Sequence, residues 1–187
     1  MRILIFLLFA ISTSLSAQQL VQSFSLINVV DNSTVTLESY QSNGLVILFT
    51  SNDCAYDTYY TARIKALIDT YKGKIQFLLI NSYIEPTESI AKMKSASDLW
   101  AMGAPYLADK DQVAMESLSA RKSPEAFLLK NNNGKYSVVY SGAIDDNPQV
   151  SAAVKDRYLR MAIDNLLAGQ SIDVPNVRAV GCSIRKK

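Results

Sequence analysis

The chain has 187 residues, with 19 basic and 17 acidic side chains and no histidine, a length that suits one ordinary domain whose core needs no disulfide framework or metal. A formal charge of +2 gives no electrostatic case for nucleic acid or acidic partners. The missing histidine removes Cys–His nucleophile pairs, Ser–His–Asp triads and imidazole metal sites, and two cysteines cannot close a tetrahedral zinc site, so neither a metal nor another cofactor is expected.

Met1-Arg2, an apolar run over 3–11 and the small-residue stretch over 12–17 have the layout of a cleaved secretory signal, too short to span a bilayer. This makes 18–187 the mature domain, periplasmic or secreted and free of the membrane after cleavage. Loss of Arg2, the sole charged side chain in 1–17, lowers the charge from +2 to +1. An oxidising compartment opens disulfide chemistry to the two cysteines, Cys54 and Cys182.

Segments 23–29 and 34–37 lean to β structure around Asp31-Asn32-Ser33 and predict an N-terminal hairpin. The runs LVILF (45–49) and IQFLLI (75–80) read as strands covered on both faces of a parallel sheet. Between them Tyr60, Ile64, Leu67, Ile68 and Tyr71 line one face of a helix that Gly73 closes. Pro86 opens a second helix to about residue 102, with Ile90, Met93, Leu99 and Trp100 as its inner face. A short strand at 106–108 and a short helix at 112–119 follow. Segments 126–129 and 136–140 flank Asn133-Gly134 and predict a second hairpin. A loop over 145–148 then precedes a helix with Leu159, Ile163 and Leu166 inward, ending at Gly169. This order predicts an α/β three-layer domain with a mixed sheet.

Cys54 follows directly on the 45–49 strand, and in α/β sheets chemistry gathers beyond the carboxyl ends of the strands. With Asn52 or Asp53 as the cap, Cys54 would occupy the first turn of the next helix, where unpaired N–H groups favour a thiolate. Asp53 and Asp57 bring opposing negative charge to that turn.

The segment FTSNDC (49–54), followed by Tyr60 and Arg63, resembles the active-site segment of thioredoxin-like redoxins, and most closely the peroxiredoxin-like branch of the alkyl hydroperoxide reductase and thiol-specific antioxidant family. YLAD (106–109), SPEAF (123–127), YSGAIDD (140–146) and GCSI (181–184) extend the likeness over nearly all of the mature chain. The resemblance implies a thioredoxin-like fold, a cis Ser123-Pro124 bond facing Cys54, and attack by Cys54 on a peroxide or a disulfide. The chain departs from the pattern in three places: Asp57 stands where a Cys-x-x-Cys motif has its second thiol, Ile47 where peroxiredoxins have an upstream proline, and Ala55 where many relatives have proline.

On this reading Cys54 is the nucleophile, Cys182 resolves it, and Ser51, Asn52, Arg63, Ser123 and Pro124 orient the substrate, with a thiol donor of unspecified identity as reductant. Arg63 would supply positive charge by turning back toward the helix start; otherwise it is an exposed helix arginine. Two alternatives stand beside the enzyme: a redox-inert scaffold or interaction domain with a permanent Cys54–Cys182 bridge, and a chain with both thiols free and Cys182 on a mobile tail.

Overall fold

Two fully apolar segments set the centre of the sheet. β3 (Gly44–Phe49) and β4 (Gln76–Asn81) run parallel, joined by α1 (Ala55–Thr70), and every residue of β3 is buried. Side chains alternate across a strand, so Leu45, Ile47 and Phe49 enter one core while Val46 and Leu48 enter the other. A strand wetted on neither face has no place for a polar residue, which is why LVILF lacks one. The computed structural model describes residues 20–187, so the signal expected at 1–17 lies outside the described residues.

The N-terminal hairpin forms as expected, β1 (Ser25–Asn28) against β2 (Thr34–Thr36), with Asp31 accepting from the backbone and hydroxyl of Ser33 in the turn. β5 (Tyr106–Ala108) lies between β1 and β4. The second hairpin is β7 (Glu125–Asn132) with β8 (Lys135–Gly142), whose turn residues Asn133 and Gly134 both adopt positive φ, 54° and 85°. Three short strands were not foreseen: β6 (Lys122–Ser123), β9 (Asn176–Val177) and β10 (Cys182–Ser183). The main sheet has the order β2-β1-β5-β4-β3-β7-β8-β9, and β6 and β10 pair apart from it.

Helices cover both faces, unevenly. α1, α2 (Ile90–Trp100) and α4 (Tyr158–Leu167) pack on one face through Tyr60, Ile64, Met93, Leu159 and Ile163. On the other, α3 (Val113–Leu118) supplies Met115 and Leu118, and Ile184 from beyond β10 completes the layer.

The second helix departs from expectation. Pro86 starts a separate 3-10 turn, Pro86–Glu88, and Ser89 is extended (φ −60°, ψ 156°) before α2 begins. Of the expected inner face only Met93 is buried, Trp100 is partly buried, Ile90 is exposed, and Leu99 is 84% exposed. At about 100° per residue Leu99 falls about 120° around the helix from Met93, so the two cannot share a buried stripe. Leu99→Ser is therefore expected to change stability by no more than about 0.5 kcal/mol in urea unfolding. Met93→Ala should cost about 2–5 kcal/mol.

Candidate active site

At the carboxyl end of β3 the chain turns through Thr50 to Asp53 and enters α1. Cys54 is itself the N-cap, with extended backbone (φ −98°, ψ 123°), which corrects the expected cap at Asn52 or Asp53 and puts the cysteine one residue ahead of the first turn. The cause is Glu88, a carboxylate only 2% exposed that the sequence reading missed. Its oxygens accept from the Asn52 N–H (2.9 Å), the Asp53 N–H (3.1 Å), Asn81 Nδ2 (2.6 Å) and the Ser51 hydroxyl. Asn52 Oδ1 also accepts from the Tyr106 hydroxyl at 2.8 Å. Ser51 and Asn52 thus shape the loop that delivers Cys54. Glu88 lies 37 residues from Ser51, and only the folded chain pairs them.

Cys54 is bonded to Cys182, with Cα atoms 6.1 Å apart, so the free-thiol alternative is overturned. The mobile tail that went with it is absent too: β10 pairs antiparallel with β6, Cys182 opposite Ser123, and the Tyr83 hydroxyl donates to the Cys182 carbonyl at 3.1 Å. The Ser123-Pro124 bond is cis, as the resemblance implied. The Ser123 carbonyl oxygen lies 3.4 Å from Cys54 Sγ, and Gly181 packs so closely over that carbonyl that any Cβ there would collide with it. Cys54 is 3% exposed, whereas Cys182 is half-buried.

Asp57 and Asp53, alike in sequence, have opposite surroundings: Asp53 is exposed and Asp57 is buried beneath the site. The Asp57 carboxylate accepts from the Ser123 hydroxyl (2.5 Å) and the Thr50 hydroxyl (2.8 Å). Burial pushes its pKa up to about 7 against these two bonds and one from the Ser51 backbone, with the nearby Glu88 raising it further. At neutral pH this group is poised to hold or release a proton under the loop that carries Cys54.

Arg63 is no free helix arginine. Its Nη1 reaches both Asp145 oxygens (2.9 and 2.7 Å) and the Asn147 carbonyl (2.7 Å), and its guanidinium sits 3.7 Å over the Tyr60 ring. The Tyr60 hydroxyl donates to the same carboxylate at 2.8 Å. Asp145, Tyr60 and Pro124 share the wall of a cavity of about 170 Å³ beside the cis proline. Arg63 therefore meets the site through Asp145.

No family model matches the chain, and no curated protein matches it. Solved structures do. An uncharacterized conserved protein from Geobacillus kaustophilus is 28% identical with a TM-score of 0.83, over 91% of this chain and 92% of that one. A hypothetical protein from Sinorhizobium meliloti is 25% identical with a TM-score of 0.81, over 92% and 95%. The exposed lipoprotein thioredoxin of Streptococcus pneumoniae is 17% identical with a TM-score of 0.59, over 76% and 99%. The fold is thioredoxin-like. The same framework serves proteins described as thiol-disulfide oxidoreductases, and here it carries a cystine where β3 meets α1.

Proposed function

We propose that the chain is an exported thiol-dependent oxidoreductase of peroxiredoxin-like character, with Cys54 as nucleophile and Cys182 as resolving thiol. The observation that carries this reading is the bond between the two cysteines at the strand-to-helix junction, against Ser123-Pro124, since a bridge serving only stability has no need of that place. In the reduced protein the Cys54 thiolate attacks a peroxide oxygen, the O–O bond breaks, and the departing alkoxide or hydroxide takes up a proton to leave as alcohol or water. Cys54 is left as a sulfenic acid. The Cys182 sulfur then attacks it, water leaves, and the bridge of the present structure forms. Two equivalents of an external thiol supply the two electrons and two protons that reopen it.

Cys182 is the more exposed residue of the pair, so the reductant attacks its sulfur and Cys54 departs as thiolate at the positive end of α1. Ser51 and Asn52 act by fixing the loop, Ser123 and Pro124 by presenting backbone at the sulfur, and Arg63 by holding Asp145 beside Pro124. Export is supported by the signal-like layout of 1–17 and by the exposed thioredoxin among the similar structures. Among the described residues no helix is long and apolar enough to cross a membrane.

The test is turnover of hydrogen peroxide with dithiothreitol as donor, and separately the release of aromatic thiol when the pre-reduced, donor-free protein meets a small aromatic disulfide. Cys54→Ser should abolish turnover while circular dichroism shows an intact fold, and pre-reduced Cys182→Ser, given one equivalent of peroxide with no donor present, should hold a trappable sulfenic acid on Cys54. Undiminished turnover in Cys54→Ser ends the enzyme reading. The 3% exposure of Cys54 favours a second reading, a scaffold with a permanent bridge. That reading requires the bridge to survive millimolar dithiothreitol in the native protein.

A further inference from the structure

Gln112 is an amide almost out of water, 2% exposed, on a residue with positive φ (59°) at the start of α3. A buried amide needs partners for both its donors and its acceptor. Nε2 donates to the Ser82 carbonyl (3.0 Å) and the Arg185 carbonyl (2.7 Å), and Oε1 accepts from the Lys187 N–H (2.7 Å). One side chain thus grips the backbone of 185–187 at two points and ties it to the chain leaving β4.

The base of this grip is rigid. The Gln112 N–H donates to the Asp109 carbonyl at 3.1 Å, and the buried Asp109 carboxylate accepts from the Ser82 hydroxyl (2.7 Å) and the N–H groups of Ala114 (3.2 Å) and Met115 (3.0 Å). Between grip and bridge, Ile184 buries its side chain in the second core and donates its N–H to the Arg121 carbonyl at 2.9 Å. None of these contacts uses the sulfur–sulfur bond.

We infer that Gln112 is a positioning residue that keeps Cys182 docked against Cys54 whether or not the two are bonded. Peeling residues 184–187 away would break both of these hydrogen bonds and expose the buried Ile184 side chain to water, so opening the bridge leaves the segment in place. Cys182 then meets Cys54 at the effective concentration of a docked group, far above that of a thiol on a free strand. This rests on the reading of Cys182 as the resolving thiol. Its chemical consequence is that a sulfenic acid or mixed disulfide on Cys54 is closed by Cys182 before an outside thiol reaches it.

The experiment is the equilibrium of the full chain with glutathione. Two glutathione thiols give up two electrons and two protons, the Cys54–Cys182 bond breaks, a dithiol forms, and glutathione disulfide is released. The ratio of the forms gives the effective concentration. In Gln112→Ala it should fall about tenfold or more, because two backbone hydrogen bonds, each worth a factor of about 2–13, no longer hold the reduced segment. A residue that only stabilised the α3 loop would lower the unfolding midpoint and leave this equilibrium unchanged, so a value within twofold of the parent overturns the inference. Should the variant not fold, amide exchange in the reduced parent decides. A protected Ile184 N–H upholds docking, and exchange at the free-chain rate overturns it. Neither readout involves turnover, so an inactive parent with a tenfold shift would sink the enzyme reading and leave the clamp standing.

Discussion

Reducing the Cys54–Cys182 bond is expected to lower the stability of the protein by about 4–5 kcal/mol. The bridge closes a loop with a sequence separation of 128, and loop-closure entropy for that length corresponds to about 5 kcal/mol at 25 °C, the upper end of what such bonds deliver. The effect lives in the unfolded chain. In the native state the strand pairing of Cys182 with Ser123, the Tyr83 bond and the Gln112 grip have no need of the covalent link. For a chain of this size the loss should appear as a fall in Tm of roughly 10–20 °C. Scanning calorimetry with and without a phosphine reductant measures it, and the Cys54→Ser/Cys182→Ser double variant should match the reduced parent within about 1 kcal/mol. A fall of less than about 3 °C would mean that the unfolded chain is little constrained by the bond. The figure also bears on function, since a bridge this favourable turns over only with a strongly reducing thiol donor.

What the sequence shows of this molecule follows the range over which each signal acts. The 45–49 and 75–80 strands are legible because a strand buried on both faces must be apolar throughout, and that pattern is local. The Asn133-Gly134 turn is legible because its positive φ values restrict which residues fit. Leu99 misled because apolar character was read without its angular phase relative to Met93. The site divides the same way. Cys54 could be placed at the strand end, and the resemblance supplied the cis bond at Pro124, but Glu88 carried no signal at all and Asp57 looked like a competing charge. Their roles come from Ser51 and Asn81 in one case and Ser123 in the other, partners that the topology brings close. Arg63 belongs here too: its carboxylate partner, Asp145, is 82 residues away, inside the quoted YSGAIDD block but carrying no mark of that pairing. Both alternatives with a bond between Cys54 and Cys182 were open from sequence, and a shared disulfide is a feature that each of them requires.

Asp57 should make the protein less stable as pH rises from about 4 to about 7. Its carboxyl has an ordinary value of 3.8, and burial lifts it to about 7 in the folded chain. Between these values the native state binds a proton that the unfolded state has lost, so stability falls with rising pH. Below about pH 4 the contribution is fully present, and above about pH 7 it is gone. A shift of this size corresponds to about 4 kcal/mol across the window. Asp57→Asn keeps an acceptor for one of the Thr50 and Ser123 hydroxyls, donates its amide N–H to the other, and cannot titrate, so the stability difference between parent and variant should change by about that amount over the window. Taking the difference removes the other shifted groups nearby: Asp109, which burial also raises, and Lys110, which burial lowers to about 8. Urea unfolding at pH 4, 5.5 and 7.5, with the bridge intact, measures it. Parallel curves for the two proteins would show that the Asp57 carboxylate is ionised in the native state at pH 4 already, its charge satisfied by the Ser123 and Thr50 hydroxyls alone. A parent curve that falls relative to the variant's as pH rises, with the slope confined to the window, places the proton beneath Cys54, where its release near neutral pH sets a negative charge one helical turn from the sulfur and works against the thiolate; a relative rise would mean that the native carboxyl is held below its ordinary value.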